Sequence, residues 1–427
     1  MKHVVIIGGG FGGLRAARGL ANKTGIQVTL VDRQNYHLFQ PLLYQVATAG
    51  LEQESIAYPL RAILRRWRNV QFRLAEVTGV DLAGRRVRTT SGDLPYDALV
   101  IAAGAATEFF GLESVARRAY DLKDLDDAVR VRNRVLSSFE LAAAEPDPAR
   151  RAELLTFVVV GGGPTGVEFA GALAELVNHV LIRDYPELRR EDVRIMLIEG
   201  SQHPLPPFGE RLGRYAAARL RRMGVEVIAP AQVVGTSHEL IQLSDGRELP
   251  ARTLFWSAGV RAAPLAQTLD MPQDRGGRLI VGPDLTLPGH PEVFAIGDIA
   301  HVEQDGKPLP QIAPVAMQQG TYAAQAILAR EAGQAAQPFE YHDRGTMAVI
   351  GRGAAVARVF GLRFTGFPAW LIWLGLHLYQ LIDFKNRLVV LLNWAYSYLF
   401  FDHKVRLIVR ETESGSLPAI RKARQSR

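Results

Sequence analysis

Two segments of this chain repeat one pattern, and that repeat limits the available folds more than any other feature. "HVVIIGGGFGGLRAARGLA" from His3 and "FVVVGGGPTGVEFAGALAEL" from Phe157 each run from a β-branched strand through a glycine cluster into a helix rich in alanine and leucine. Each is followed by a second apolar strand that ends on an acid, "QVTLVD" closing at Asp32 and "VRIMLIE" closing at Glu199. Strand, helix and strand in this order make a βαβ unit, so the chain holds two of them. In a dinucleotide-binding unit the first glycine permits the tight turn, the second lets the backbone approach a pyrophosphate, and the third lets helix pack on strand. Gly8, Gly10 and Gly13 take those roles in the first unit; Gly161, Gly163 and Gly166 take them in the second. The free N–H groups at each helix N-terminus suit the pyrophosphate, and an acid closing the second strand suits the ribose hydroxyls. Asp32, followed by Arg33, and Glu199 stand at those places. An acid there repels a 2′-phosphate, which favours NADH over NADPH at the second unit. Pro164 reads as the first residue of its helix, where a missing N–H costs little.

Other segments extend the pattern. "YDALVIAAGA" (Tyr96 to Ala105) and "TLFWSAGV" (Thr253 to Val260) are strands followed by small-residue turns, at Ala103 and Gly104 and at Gly259, that let the backbone pass close to a cofactor. "VFAIGDIA" (Val293 to Ala300) sets Gly297 and Asp298 just past a strand, where an acid can hydrogen-bond a ribityl hydroxyl. Each alone reads more readily as a buried strand meeting a turn; their order along one chain is what completes the pattern of a flavin domain. Short alternating runs between Phe72 and Val100, and again between Val225 and Leu254, predict small antiparallel meanders. The polar stretch from Glu145 to Glu153 reads as an exposed connection, and Gln334 to Gln337 as a linker into a different C-terminal part.

Inventory excludes several chemistries. Among 427 residues there is no cysteine, which removes disulfides, thiolate metal sites, iron–sulfur clusters and redox-active dithiols. Val4 begins the first strand too soon after Met1 for a basic and then apolar leader, so a cytoplasmic protein is expected. From Asp402 to Arg427 the chain carries seven Lys or Arg against three acids, a basic end that suits an anionic membrane surface. No nucleic-acid-binding motif accompanies it.

Phe364 to Ile382 holds no charge over 19 residues and Leu388 to Phe401 none over 14. A spanning helix needs about 20 apolar residues. The first run contains Pro368, His377 and Gln380, and the second is too short. Trp370, Trp373 and Trp394 fall here, and tryptophan favours the bilayer interface. Two helices lying in one leaflet, with Lys385, Arg387, Lys404 and Arg406 near the head groups, fit better than a span. Buried core or dimer-interface helices are the alternative.

The chain resembles the two-dinucleotide-binding-domain flavoproteins and, within them, the type II NADH dehydrogenases. "DRQNYHLFQPLLYQVATAGL" from Asp32 is the most specific motif, with "VEFAGALAEL" and "APVAMQQG" (Ala313 to Gly320) in support. The resemblance implies an α/β fold with two Rossmann-type dinucleotide-binding domains, for FAD and NADH, plus a C-terminal helical membrane-associating region. It assigns residues 1–110 and 276–338 to the FAD domain, 111–275 to the NADH domain and 339–427 to the anchoring region. It implies non-covalent FAD, NADH as substrate, a membrane quinone as acceptor near the C-terminal part, no metal and no proton pumping. The enzyme would then lie on the cytoplasmic face of the membrane, with a homodimer as a further candidate assembly.

The same resemblance places Glu168 facing nicotinamide and flavin, and Gln318 and Gln319 near the flavin pyrimidine and the quinone headgroup. From its position alone, Glu168 reads as a carboxylate in the first turn of a helix, favoured there by the dipole. Pro314 stands where the family commonly has glutamine and reads as helix N1. Sulfide:quinone oxidoreductases share the architecture but need cysteines that this chain lacks. A soluble reductase for a small redox protein would have no use for the aromatic C-terminal helices. A non-catalytic sensor of NADH level is the alternative from another class, and quinone turnover separates it.

Overall fold

The computed structural model describes residues 1–382, 384–400 and 405–409. Strand β1 (Lys2–Ile7), helix α1 (Phe11–Leu20) and strand β2 (Ile26–Asp32) form the first βαβ unit, with Val4 opposite Val28 and Ile7 opposite Val31. β3 (Val70–Leu74) extends this sheet beyond β2, and β4 (Ala98–Ile101) extends it beyond β1. Helix α2 (Leu125–Ala144) leads toward the second unit. There β5 (Thr156–Val160), α3 (Pro164–Leu176), β6 (Arg194–Ile198), β7 (Val225–Ile228) and β8 (Thr253–Trp256) build a wholly parallel sheet in the order β7-β6-β5-β8. These strands read as continuous Val, Ile and Leu runs because parallel strands are covered on both faces.

The chain then returns. β9 (Thr286–Leu287) and β10 (His290–Ala295) complete the first sheet as β9-β10-β4-β1-β2-β3, with Val293 opposite Leu99. Helix α4 (Ala313–Glu331) lies against α1 so closely that a Cβ on Gly320 would strike the Gly12 carbonyl. The last part is an antiparallel sheet, β11 (Thr346–Gly351), β12 (Ala354–Val359) and β13 (Leu362–Thr365), followed by α5 (Gly366–Gln380) and α6 (Phe384–Phe400). This sheet sits directly on α3, since a Cβ on Gly171 would overlap the Ile350 carbonyl oxygen.

The two meanders form as three-stranded antiparallel sheets, Val77–Asp81 with Arg86–Thr89 and Leu94–Pro95, and Val233–Ser237 with Leu240–Leu243 and Glu248–Pro250. The connection expected from Glu145 to Glu153 is instead partly helical. Asp147 caps a short helix over Pro148–Leu154, its Oδ1 accepting the Ala149 N–H at 2.9 Å, and Pro148 stands in the first turn, where a proline starts a helix as readily as it ends one. The linker is irregular through 334–345, longer than the four residues expected.

Among the described residues no helix is long and apolar enough to cross a membrane. Of the three C-terminal tryptophans, one is buried and two are partly buried. Trp373 is 3% exposed and joins Ala369, Leu381 and Val390 in the core of the second fold, with Trp370 and Trp394 packed against it. Outward-facing positions belong to Phe367, Leu371, Leu376, Tyr379, Leu388, Leu391 and Leu392. Arg406 pairs with Asp184 at 2.9 Å rather than standing free for head groups, and Arg387 donates to the Leu381 carbonyl. Lys404, the Lys385 side chain and the basic end beyond 409 lie outside the described residues.

Candidate functional site

Both glycine loops have the same construction. Gly8 and Gly161 each adopt φ of +100°, and their N–H groups donate to Val31 and Ile198 at 2.8 and 2.9 Å. A Cβ on Gly8 would strike Ala102, and one on Gly161 would strike Ser257 and Ala258, so the small residues after β4 and β8 are there to let the loops through. Gly13 and Gly166 are closed to any side chain by the carbonyls of Gly8 and Gly161. Gly10 and Gly163 behave oppositely: no heavy atom lies within 4 Å of where a Cβ would stand. Each begins its helix without a side-chain cap, so the N–H groups of the first turn face open space. That is the surface a pyrophosphate needs. The chain therefore fits two dinucleotides.

The two acids clamp the loops. Asp32 accepts from Gly9 N at 2.5 Å and Gln34 N at 2.7 Å, and Glu199 accepts from Gly162 N at 2.6 Å and Ser201 N at 2.7 Å. Burial raises the Asp32 pKa, while the donated N–H groups hold it back. Each carboxylate oxygen keeps a second lone pair for a sugar hydroxyl. Arg33 follows Asp32 and Gly104, at φ of +72°, closes the turn after Ala103. Gly259, at φ of +90°, also abuts the Phe110 ring, so backbone conformation and packing together account for its missing side chain.

Past β10, Gly297 donates its N–H to Gln319 Oε1 at 2.6 Å, and Gln319 is 1% exposed. Asp298 follows, its pKa raised by burial and moderated by the Lys123 ammonium. Lys123 itself is desolvated, with Asp298 the largest opposing influence. Gln318 points elsewhere: its amide pairs reciprocally with the His342 backbone, both bonds 3.0 Å. Pro314 occupies the second helical position, behind Ala313, rather than the first as expected. The first turn still tolerates it, because no N–H there has a helical partner.

Glu168 is not in the first helical turn. The helix starts at Pro164 and has no acid in that turn, so the dipole argument does not apply. Its environment comes from other elements. Oε1 accepts the Val349 N–H of β11 at 3.2 Å, and the residue keeps partial solvent access although protein surrounds its carboxyl. Burial pushes its pKa up to about 8, against the Val349 N–H and the nearby Trp373 indole. That indole nitrogen is buried without a partner of good hydrogen-bonding geometry. Tyr44, from the short helix Leu43–Ala47, lies on the same side, its hydroxyl pKa raised well above the ordinary value by burial and then by Glu168.

Three stretches of chain thus converge on one carboxyl: α3 of the second fold, the "QPLLYQ" motif of the first, and the C-terminal helices. Trp373 stacks on His377 with centroids 4.3 Å apart, and His377 meets Phe39 edge-on at 6.1 Å. Burial pushes the His377 pKa down to about 4, so the ring is neutral. Reading the sequence missed Tyr44, Gln45, Trp373 and Lys123 as site residues. The motif containing Tyr44 and Gln45 was visible; nothing in the spacing showed which of its side chains would meet Glu168.

The profile of the family described as pyridine nucleotide-disulphide oxidoreductase matches residues 2–320. A type II NADH:quinone oxidoreductase of Mycobacterium tuberculosis is 44% identical over 412 residues, 93% of this chain and 88% of that protein. A type II NADH:quinone oxidoreductase of Staphylococcus haemolyticus is 31% identical over 376 residues, 86% of this chain and 92% of that protein. Among solved structures, NDH2 from Plasmodium falciparum in complex with NADH superimposes with a TM-score of 0.87 at 20% identity, covering 96% of this chain and 100% of that one. The sulfide:quinone oxidoreductase of Aquifex aeolicus gives 0.72 at 21%, covering 91% and 92%. At such identities these likenesses speak for the fold alone.

Proposed function

Because the chain belongs to the pyridine nucleotide-disulphide oxidoreductase family, and within it to the type II NADH:quinone oxidoreductases, we propose that it passes two electrons from NADH through non-covalent FAD to a membrane quinone. The overall change is NADH, one proton and quinone giving NAD⁺ and quinol, with no proton pumped. The family name mentions disulphides, but a chain without cysteine performs no disulphide chemistry. The observation that carries the reading is the convergence at Glu168, where the helix of one dinucleotide loop meets residues of the other fold and of the C-terminal helices.

FAD, when bound, supplies the two-electron carrier between a hydride donor and the quinone. The protein supplies the rest. Gly8, Gly10, Gly13, Asp32, Arg33, Ala103, Gly104, Gly297 and Asp298 form the proposed FAD cradle, in which Gln319 holds the Gly297 turn. Gly161, Gly163, Gly166, Glu199 and Gly259 form the NADH cradle, Glu199 opposing a 2′-phosphate. Glu168 holds a proton at neutral pH beside the reacting rings, and the neutral His377 and Trp373 keep water away from it. Gln318, bound to the His342 backbone, fixes the edge of the quinone side.

The outward apolar side chains of α5 and α6 favour a peripheral seat in one leaflet, on the cytoplasmic face. Each large apolar side chain buried there contributes about 1.5–3 kcal/mol. A second copy of the chain could cover the same face, and solution mass after detergent release separates the two. The test of function is anaerobic: the purified yellow protein should bleach with NADH and recover its colour on adding a quinone. Failure to bleach, with FAD bound, would overturn the reading.

A further inference from the structure

The polar groups beside Glu168 are joined in one direction. Trp394, in α6, donates its indole N–H to Gln45 Oε1 at 2.8 Å, and Gln45 Nε2 donates to the Tyr44 hydroxyl at 2.8 Å. Indole is a donor only, so the Gln45 amide must turn its oxygen toward Trp394 and its NH2 group toward Tyr44. The Tyr44 hydroxyl then accepts from Gln45, and its single proton must point elsewhere. Among the described residues the hydroxyl donates no hydrogen bond, although Tyr44 is only 5% exposed. Glu168 acts on Tyr44 from the same side without a direct hydrogen bond. Trp373 Nε1, buried nearby, is a second donor that faces only the Glu168 carboxyl, outside good hydrogen-bonding geometry. Buried donors are seldom left this way, because the loss of water is not offset.

We propose that the Tyr44 hydroxyl is a hydrogen-bond donor to a ring carbonyl of the quinone headgroup, and that Trp394 is a positioning residue that fixes this direction through Gln45. The inference rests on the quinone reading above. A quinone oxygen gains negative charge as electrons arrive, and a donor already aimed at it stabilises that charge without reorganising. Tyr44 keeps its proton throughout, so the net uptake stays that of the overall reaction. Because α6 also turns Leu388, Leu391 and Leu392 outward, the helix that sets the donor is one that meets the surroundings of the protein.

The test compares Tyr44→Phe, Gln45→Glu and Trp394→Phe in the full, FAD-loaded chain, with FAD content and visible spectrum as the folding control. The probe is a short-tailed benzoquinone labelled with ¹³C at its carbonyls. Difference infrared spectra report the carbonyl stretch, and stopped flow reports flavin reoxidation. In the wild type the stretch should fall below that of free quinone. Tyr44→Phe should abolish the fall and slow reoxidation about tenfold, the loss of one hydrogen bond. Gln45→Glu should do the same with Tyr44 still present, because a carboxylate accepts from both neighbours and so turns the tyrosine O–H toward itself. Trp394→Phe, which keeps a ring in place, should weaken the shift by letting the amide turn. A shift and rate unchanged in Tyr44→Phe would overturn the proposal, and an unchanged shift in Gln45→Glu would overturn its direction. A wild type that quinone does not reoxidise would instead overturn the functional reading beneath it.

Discussion

A glutamate with a pKa near 8 makes the chemistry and the stability of this protein depend on pH in a signed way. The folded protein holds a proton that the unfolded chain loses near 4.5, so the group's stabilising effect is whole below that pH and is lost as pH rises through about 8. Glu168→Gln should therefore flatten the fall of melting temperature across that window, seen by melting the FAD-loaded protein at several pH values. Quinone reduction by the wild type should decline above about pH 8. The glutamine variant should be about a hundredfold slower and lack that limb, in keeping with a lost general acid. Single residues were unevenly legible in the sequence. The glycines were readable because their roles are local: Gly8 against Ala102 and Gly13 against Gly8 recur wherever such a loop forms. Glu168 was readable only by family resemblance, because its partners Val349 and Trp373 lie about 200 residues further along the chain, and its first-turn placement was mistaken because the helix starts at Pro164.

At the scale of elements, close packing rather than propensity sets the site. Gly171 lets β11 lie on α3, and that contact delivers the Val349 N–H to Glu168. Gly171→Ala should favour the helix by about 1 kcal/mol in propensity, yet the Cβ would overlap the Ile350 carbonyl, and overpacking typically costs about 1–3 kcal/mol. The expected net result is a lower melting temperature together with a shifted Glu168 pH profile, because the strand must move. Melting and pH-dependent turnover of the same variant check both. Strands and glycine-loop helices were legible because burial on both faces leaves an unbroken apolar run. The short helix Pro148–Leu154 was not, since its start depends on one Asp147 hydrogen bond.

Across the whole molecule, the C-terminal helices have two apolar sides, one in the core and one exposed. Their inner sides carry Trp373 and Val390 into the core, so removing them would open the second fold whatever else it did. Surface changes are the cleaner probe. Replacing Leu371, Leu376, Tyr379 and Leu392 together with serine or glutamine should leave FAD content and ferricyanide reduction intact. Flotation with anionic vesicles should fall at least tenfold, since each lost apolar contact removes about 1.5–3 kcal/mol. Two-sided helices explain why the uncharged runs were legible while the inward turn of Trp373 was not: hydropathy does not say which side a ring takes. The return of β10 to pair with β4 bears on how the protein is made. During synthesis the first sheet stays an open edge after Ile101 until the ribosome has produced everything up to His290. At about 5–20 residues per second, that wait is on the order of 10 s or more. The parallel sheet of the second fold, complete at Trp256, can pair in full during that interval, although its core closes only when the C-terminal helices arrive. The first fold, though its chain emerges sooner, spends that interval as the part of the nascent protein most in need of a chaperone.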